Sequence, residues 1–283
     1  MEYKFPNKNL LEKHSSELIN DKRYYNLSKL IYQNDFNSKL VFPVGIDDNK
    51  EKYYIDFEFK SGILIAGETG SGKSIFLNSI IISFLLKNTP AELEFILIDP
   101  RGVELNAYNG IPHLYKYVFK DELSSLEALK YVINTMEKRR EIFIKNGNRN
   151  IDEYNKKNEA KMSHLMIVLD EVIDIISSSE VQTIIYNILS EGYKFGIHLL
   201  LATNGYFKQY FDKETINMFD YILTFDLASQ EQANYIKISD SNLLSATGDA
   251  LIKCPGDKIV NIQTPYVSSR DIEEIVKYIK SEN

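Results

Sequence analysis

Gly67-Glu68-Thr69-Gly70-Ser71-Gly72-Lys73-Ser74 decides how the rest of the chain reads. The octet fits G-x-x-x-x-G-K-[ST], the pattern of a phosphate-binding loop, or P-loop. Its three glycines let the backbone fold back and turn N–H groups inward, toward phosphate oxygens. Lys73 has the reach for β- and γ-phosphates, and the Ser74 hydroxyl is a ligand type suited to Mg²⁺. Upstream, Ile63-Leu64-Ile65-Ala66 predicts a buried strand. Downstream, Ile75, Leu77, Ile80, Ile81, Phe84 and Leu85 recur at helical spacing. Strand, glycine loop and helix in that order allow the helix N-terminus to add its dipole to anion binding. Gly67, Glu68, Thr69, Gly70, Ser71, Gly72, Lys73, Ser74 and Ile75 are therefore the expected nucleotide-binding stretch, with ATP and Mg²⁺ as the expected ligands.

The 283 residues are 44 % hydrophobic. That is enough for one large α/β domain, or a domain with an appendage, and for an ample core without staples. One cysteine, Cys254, excludes an internal disulfide and suits a reducing compartment. The longest apolar run, Ile75 to Leu86, is interrupted by Asn78, Ser79 and Ser83. No run reaches membrane-spanning length. Met1-Glu2-Tyr3-Lys4-Phe5 lacks the apolar core of a signal peptide. The reading is cytoplasmic and soluble, with no direct membrane span. The net charge of −7 argues against a simple nucleic-acid binder with a broad basic face. It leaves room for a small basic patch inside a ring.

Residues 1–37 are polar, with Leu10, Leu11, Leu18, Leu27, Leu30 and Ile31 suggesting one or two short helices in an N-terminal arm or linker. From Leu40 the character changes. Leu40–Ile46 reads as a strand with an edge proline, Asp47-Asp48-Asn49 as a turn, and Tyr53–Phe59 as the return strand of a hairpin. Glu94–Pro100 is the next buried strand. Asp99 ends it, either as an acid on the ligand-binding edge or as the first residue of a turn. Ser124–Lys145 predicts an amphipathic helix opened by a capping box, Ser124-Ser125-Leu126-Glu127. Residues 146–162 read as a polar connection.

His164-Leu165-Met166-Ile167-Val168-Leu169-Asp170-Glu171 is the second landmark. A buried strand ending in two acids, about a hundred residues after a P-loop, is a Walker B pattern. Asp170 would hold Mg²⁺ through its water shell, and Glu171 would orient or deprotonate an attacking water. The two acids are expected to face Lys73 from a neighbouring strand. Val181–Tyr193 is a further helix, and Gly196–Asn204 a strand whose polar end would sense a γ-phosphate through Asn204. Tyr221–Phe225, Ala250–Ile252 and Ile259–Ile262 are later strands, and Ser268–Ile279 a closing helix capped by Ser268 or Ser269. Alternating strands and helices predict a mainly parallel sheet with helices on both faces. His14, His113, His164 and His198 have no metal-ligand spacing and read as structural.

These residues resemble the FtsK/SpoIIIE family of DNA-pumping motors. The resemblance is carried by Leu64–Ser74, by Phe95–Pro100 followed by Glu104-Leu105, and by Tyr108-Asn109-Gly110-Ile111-Pro112-His113-Leu114. It continues through Met136–Arg140, Arg149-Asn150-Ile151-Asp152-Glu153-Tyr154-Asn155, Asp170-Glu171, and Gly196–Leu199 running to Ala202-Thr203. It covers about Leu40 to Ile279. It implies a RecA-like P-loop NTPase motor domain at residues 38–283. Such domains assemble as hexameric rings that pump double-stranded DNA by hydrolysing ATP. It carries over Lys73, Asp170, Glu171 and Asn204 as catalytic residues, and Ser74 and Asp170 as metal ligands.

There are departures. The family's Gln after Ala-Thr is Asn204, and its Lys after Asp-Pro is Arg101. Three family arginines fall on Tyr193, on Ile222 or Tyr221, and on Asn234. An arginine supplied by a neighbouring subunit can be worth roughly 10³–10⁵ in rate. Without one, a homo-oligomer is expected to turn over ATP poorly unless Arg101, Arg149, Arg270 or a partner subunit supplies it. The chain ends at Asn283, soon after the motor. By analogy this suggests the small relatives that feed DNA to a conjugation pore. The alternative is a nucleotide-binding adaptor of a conjugation or type VII-like secretion complex, with weak or no turnover. A small-molecule kinase would need a substrate lid that the sequence does not show.

Overall fold

The computed structural model describes residues 3–11, 25–31, 36, 38–204, 206–244 and 247–282. Among them, nine strands form one sheet: β1 (Val41–Ile46), β2 (Lys52–Asp56), β3 (Gly62–Ala66), β4 (Leu93–Ile98), β5 (His164–Asp170), β6 (Ile197–Thr203), β7 (Tyr221–Thr224), β8 (Asp249–Lys253) and β9 (Ile259–Gln263). They lie in the order β2-β1-β9-β8-β7-β3-β6-β5-β4. The block β7-β3-β6-β5-β4 is parallel. From β7 through β8, β9 and β1 to β2 the pairing is antiparallel.

The division follows from composition. β3 and β6 are buried at every residue, as parallel strands covered on both faces must be. β9 alternates exposed and buried over its first four residues, as a strand with one open face does. Five of the principal helices are α1 (Lys73–Leu85), α2 (Glu122–Asn146), α3 (Ile151–Lys157), α4 (Ser179–Glu191) and α5 (Ser269–Glu282). Successive strand residues point to opposite layers. Ile63, Ile65, Leu97, Val168 and Leu200 pack with Phe76, Leu77, Ile80 and Ile81 of α1 and Ile272, Ile275 and Ile279 of α5. Leu64, Ile96, Ile167, Leu199 and Leu201 pack with Leu129 and Val132 of α2 and Ile184, Ile185 and Ile188 of α4. Truncating one such Leu or Ile to Ala costs roughly 2–5 kcal/mol.

The polar residues inside α1 are satisfied locally. The Ser79 and Ser83 hydroxyls donate to the Phe76 and Ser79 carbonyls at 2.7 and 2.6 Å. Asn78 donates to the Ser74 carbonyl at 2.9 Å and accepts from Tyr108 at 2.6 Å.

Several boundaries differ from the sequence expectation. α2 begins two residues early because Asp121, not Ser124, is its cap: the Asp121 carboxylate accepts from the Ser124 N–H at 2.9 Å. An acid there also opposes the helix dipole. The polar connection contains α3, capped by Asn150 accepting from the Glu153 N–H at 2.9 Å. Only Ile151 of α3 is buried, so no apolar period announces it. The return strand of the hairpin stops at Asp56. Ser268 is the cap of α5, its hydroxyl accepting from the Asp271 N–H at 3.1 Å. Of the N-terminal leucines, Leu18 lies outside the described residues, while Leu11, Leu27 and Ile31 are buried in the α1-side core.

The histidines are less scattered than their spacing suggests; His14 lies outside the described residues. The neighbouring strands β5 and β6 bring His164 Nδ1 to 2.9 Å from His198 Nε2, and His198 Nδ1 to 2.7 Å from the Lys60 carbonyl. A carbonyl only accepts, so His198 Nδ1 donates to it and His198 Nε2 accepts from His164.

Candidate functional site

β3 ends at Ala66 and the chain turns directly into α1. The turn needs glycine at Gly67, where φ is +154° and a Cβ would sit 2.7 Å from the Phe225 Cβ and 2.8 Å from the Ser71 hydroxyl. At Gly72, φ is +115° as the helix begins. Three backbone hydrogen bonds fix the loop from outside. Gly67 N–H donates to the Thr203 carbonyl at 3.2 Å, Glu68 N–H to Asp226 at 2.7 Å, and Gly248 N–H to Ser71 at 3.1 Å. Lys73, buried at the loop's base, donates to the Glu68 carbonyl at 3.0 Å.

Asp170 is the last residue of β5, and Glu171 follows it with φ +48°. A left-handed non-glycine residue is uncommon and mildly strained. It is held there by its N–H, which donates to the Ala202 carbonyl at 3.1 Å. The bend brings the Glu171 carboxylate to 3.8 Å from the Lys73 ammonium and into an ion pair with Arg101. β5 is not a neighbour of β3, however; β6 runs between them. The expectation of acids on an adjacent strand is corrected by one strand.

Asp99 is a turn residue. One carboxylate oxygen accepts from the Gly102 N–H at 2.8 Å, and the other from Glu104 and Leu105 at 3.0 Å each. This shapes the loop opposite the glycine turn. Between the two lies a cavity of about 300 Å³. Thr69, Gly70, Gly72, Lys73, Ser74 and Ile75 form one wall, and Asp99, Arg101, Val103, Glu104, Asp170 and Glu171 the other.

Burial holds the Lys73 ammonium below its ordinary pKa, against the pull of Glu171 and Asp170. Burial, reinforced by the charges of Asp99, Glu171 and Glu104, pushes the Asp170 carboxyl up to about 7. Its Oδ1 is buried and has no hydrogen-bond partner. A carboxylate in that position is costly unless a cation meets it. A magnesium ion fits this donor set: hard oxygen ligands, one carboxylate and one hydroxyl, bordering a cavity with room for phosphates.

The structure thus brings Thr69, Gly70, Gly72, Lys73, Ser74, Ile75, Asp170 and Glu171 to one cavity. Gly67, Glu68 and Ser71 lie behind that wall and shape the loop. Asn204 does not line the cavity; it follows the end of β6, and its Oδ1 is buried without a partner. Sequence reasoning offered Asp99 as an acid on the ligand-binding edge or a turn residue, and Arg101 as a substitute for the family arginines; it missed Val103 and the Gly248 contact. The Asp99-Pro100-Arg101-Gly102 turn was the available signal for the first three. The Gly248 contact depends on β8 lying beside β7, and no local pattern encodes it.

The FtsK/SpoIIIE family model matches residues 31–210. DNA translocase SftA of Bacillus subtilis (strain 168) is 33 % identical over 262 residues, which are 87 % of this chain and 27 % of that protein. Among solved structures, the pCW3 conjugation coupling protein TcpA, determined as a monomer with ATPγS, superposes with a TM-score of 0.74 at 20 % identity, over 88 % of this chain and 72 % of that one. The cytoplasmic domain of the type VII secretion ATPase EccC of Thermomonospora curvata gives a TM-score of 0.74 at 19 % identity, over 93 % of this chain and 34 % of that one. At those identities the two structures speak for the P-loop ATPase fold alone, and the chain spans about a quarter of SftA's length. The glycine turn, the acids of β5 and the matched segment from residue 31 to 210 all point one way: the chain belongs to the FtsK/SpoIIIE family.

Proposed function

We propose that this chain is an ATP-hydrolysing motor that translocates or couples double-stranded DNA, as in plasmid or integrative-element transfer. The observation that carries the reading is the convergence of Lys73, Ser74, Asp170 and Glu171 on one cavity at the head of α1. Residues 38–283 act as the motor domain and residues 1–37 as an arm, in a cytoplasmic oligomer, a hexamer by family analogy. The name of SftA, a DNA translocase, supports a DNA cargo.

In the proposed mechanism the loop N–H groups and Lys73 hold the β- and γ-phosphates. Ser74 and Asp170 would hold Mg²⁺, which would supply positive charge beside the phosphate oxygens. Glu171 accepts a proton from water as its oxygen attacks the γ-phosphorus. The bond to the β–γ bridging oxygen breaks, and ADP and phosphate leave. Asn204 would respond to the γ-phosphate from the end of β6.

A second reading is an adaptor in a conjugation or type VII-like secretion complex, where ATP organises assembly with little turnover. The absence of arginine at Tyr193, at Ile222 or Tyr221 and at Asn234, together with the net charge of −7, favours it. ATP turnover with and without linear duplex DNA separates the two. A motor is stimulated by DNA, and the stimulation falls steeply with salt. Lys73→Ala should lose nucleotide binding. Glu171→Gln should keep binding and lose about 10²–10⁴-fold in turnover. A rate indifferent to DNA over a wide concentration range would reject the DNA motor.

A further inference from the structure

We infer that Arg101 reads the terminal phosphate from within its own subunit, exchanging the Glu171 carboxylate for the γ-phosphate of a triphosphate. This rests on the reading of the cavity as an ATP site. Arg101 pairs with Glu171 on the wall opposite Lys73 and Ser74, so one guanidinium borders both the general base and the phosphate space.

Exposure is distributed unevenly around this contact. The Arg101 side chain is 56 % exposed, against 11 % for Glu171 and 3 % for Lys73. Glu171 is fixed by its backbone bond to Ala202, and Lys73 by burial and the Glu68 carbonyl. The backbone beneath Arg101 is also fixed. Asp99 holds the N–H groups of Gly102, Glu104 and Leu105, and at Gly102 φ is +65°. A long, exposed cation therefore pivots on a rigid turn.

The charges favour an exchange. The cavity wall carries four carboxylates, on Asp99, Glu104, Asp170 and Glu171, against two cations, Lys73 and Arg101. A terminal phosphate carries more charge than Glu171 and offers the planar guanidinium two oxygens at once. ADP ends at its β-phosphate, which lies in the glycine turn with nothing at the γ position, so with ADP the ion pair with Glu171 persists. Glu171 is then released to accept a proton only when a triphosphate is present. No bond to Arg101 is made or broken.

The test is equilibrium binding of fluorescent ATPγS and ADP in the presence of Mg²⁺. It compares the wild type with Arg101→Ala and Arg101→Lys, each also in a Glu171→Gln background. The Gln background is needed because Arg101→Ala alone leaves the Glu171 charge unscreened and repels any nucleotide. Arg101→Ala should weaken ATPγS about tenfold in the Gln background while ADP stays within about twofold. Arg101→Lys should recover part of the loss. An unchanged ratio of ATPγS to ADP affinity in the Gln background overturns the inference and leaves the ATP site standing. If the wild type binds neither nucleotide more tightly than Lys73→Ala does, the ATP site falls and the inference with it.

Discussion

Glu171 comes within 3.8 Å of Lys73 although their strands do not touch; β6 separates β5 from β3. The gap is closed by a left-handed bend at Glu171 and by the hydrogen bond from its N–H to Ala202 on the intervening strand. β6 is thus the spacer that sets how far the acids stand from the phosphate loop. It also supplies the Thr203 carbonyl that anchors Gly67. Any shift of β6 is felt at both walls of the cavity.

Asp170 makes stability near the site depend on pH. Its carboxyl titrates near 7 in the folded protein against 3.8 ordinarily. Between those values the folded state binds the extra proton, so stability falls as pH rises from about 4 to about 7, and the full penalty remains above that. The penalty is roughly 4 kcal/mol. Asp170→Asn removes it without changing shape. Urea unfolding in the presence of a chelator should find the variant more stable than wild type by a few kcal/mol at pH 8, with the gap closing toward pH 4. A gap independent of pH would mean that Asp170 is not the strained acid.

The loop facing the glycine turn hangs on Asp99. Asp99→Ala orphans the N–H groups of Glu104 and Leu105, which share one carboxylate oxygen, while the Gly102 N–H keeps its bond to the Asp99 carbonyl at 3.0 Å. The cost should be about 2–3 kcal/mol in chemical denaturation. Asp99→Asn retains one acceptor oxygen and should fall between the two. Equal stability of all three proteins would show that the turn holds itself.

Much of this was legible in the chain because it is local. The glycine octet, the run Ile63–Ala66 and the acids after Val168-Leu169 each lie within a dozen residues, and each takes the expected form. What was not legible is relational. Nothing near Asp170 says that β6 will lie between it and Lys73, since strand order is set by crossovers of tens of residues. Asp121 displaced Ser124 as a cap because both fit the preference, and only the backbone angle chooses. The short α3 buries one residue, too few for a period. His164 and His198 look unrelated until β5 and β6 pair in register, with Met166 opposite His198.

That pairing gives the fold an acid-sensitive region at the opposite end of the sheet from the P-loop. Burial holds His198 down to about 4, His113 likewise to about 4, and His164 well below its ordinary value. In the unfolded chain each ring takes a proton near 6.5. Stability is therefore intact above about 6.5 and lost as pH falls toward 4, with His198 alone contributing roughly 3 kcal/mol. The sign is opposite to that of Asp170, and three rings outweigh one carboxyl. His198→Gln keeps a donor for the Lys60 carbonyl and an acceptor for His164, but does not titrate. Whatever it costs at pH 8, its unfolding free energy should fall less steeply below pH 6, by about 1.4 kcal/mol per pH unit. Parallel pH profiles for variant and wild type would show that the ring is accessible to protons in the folded protein.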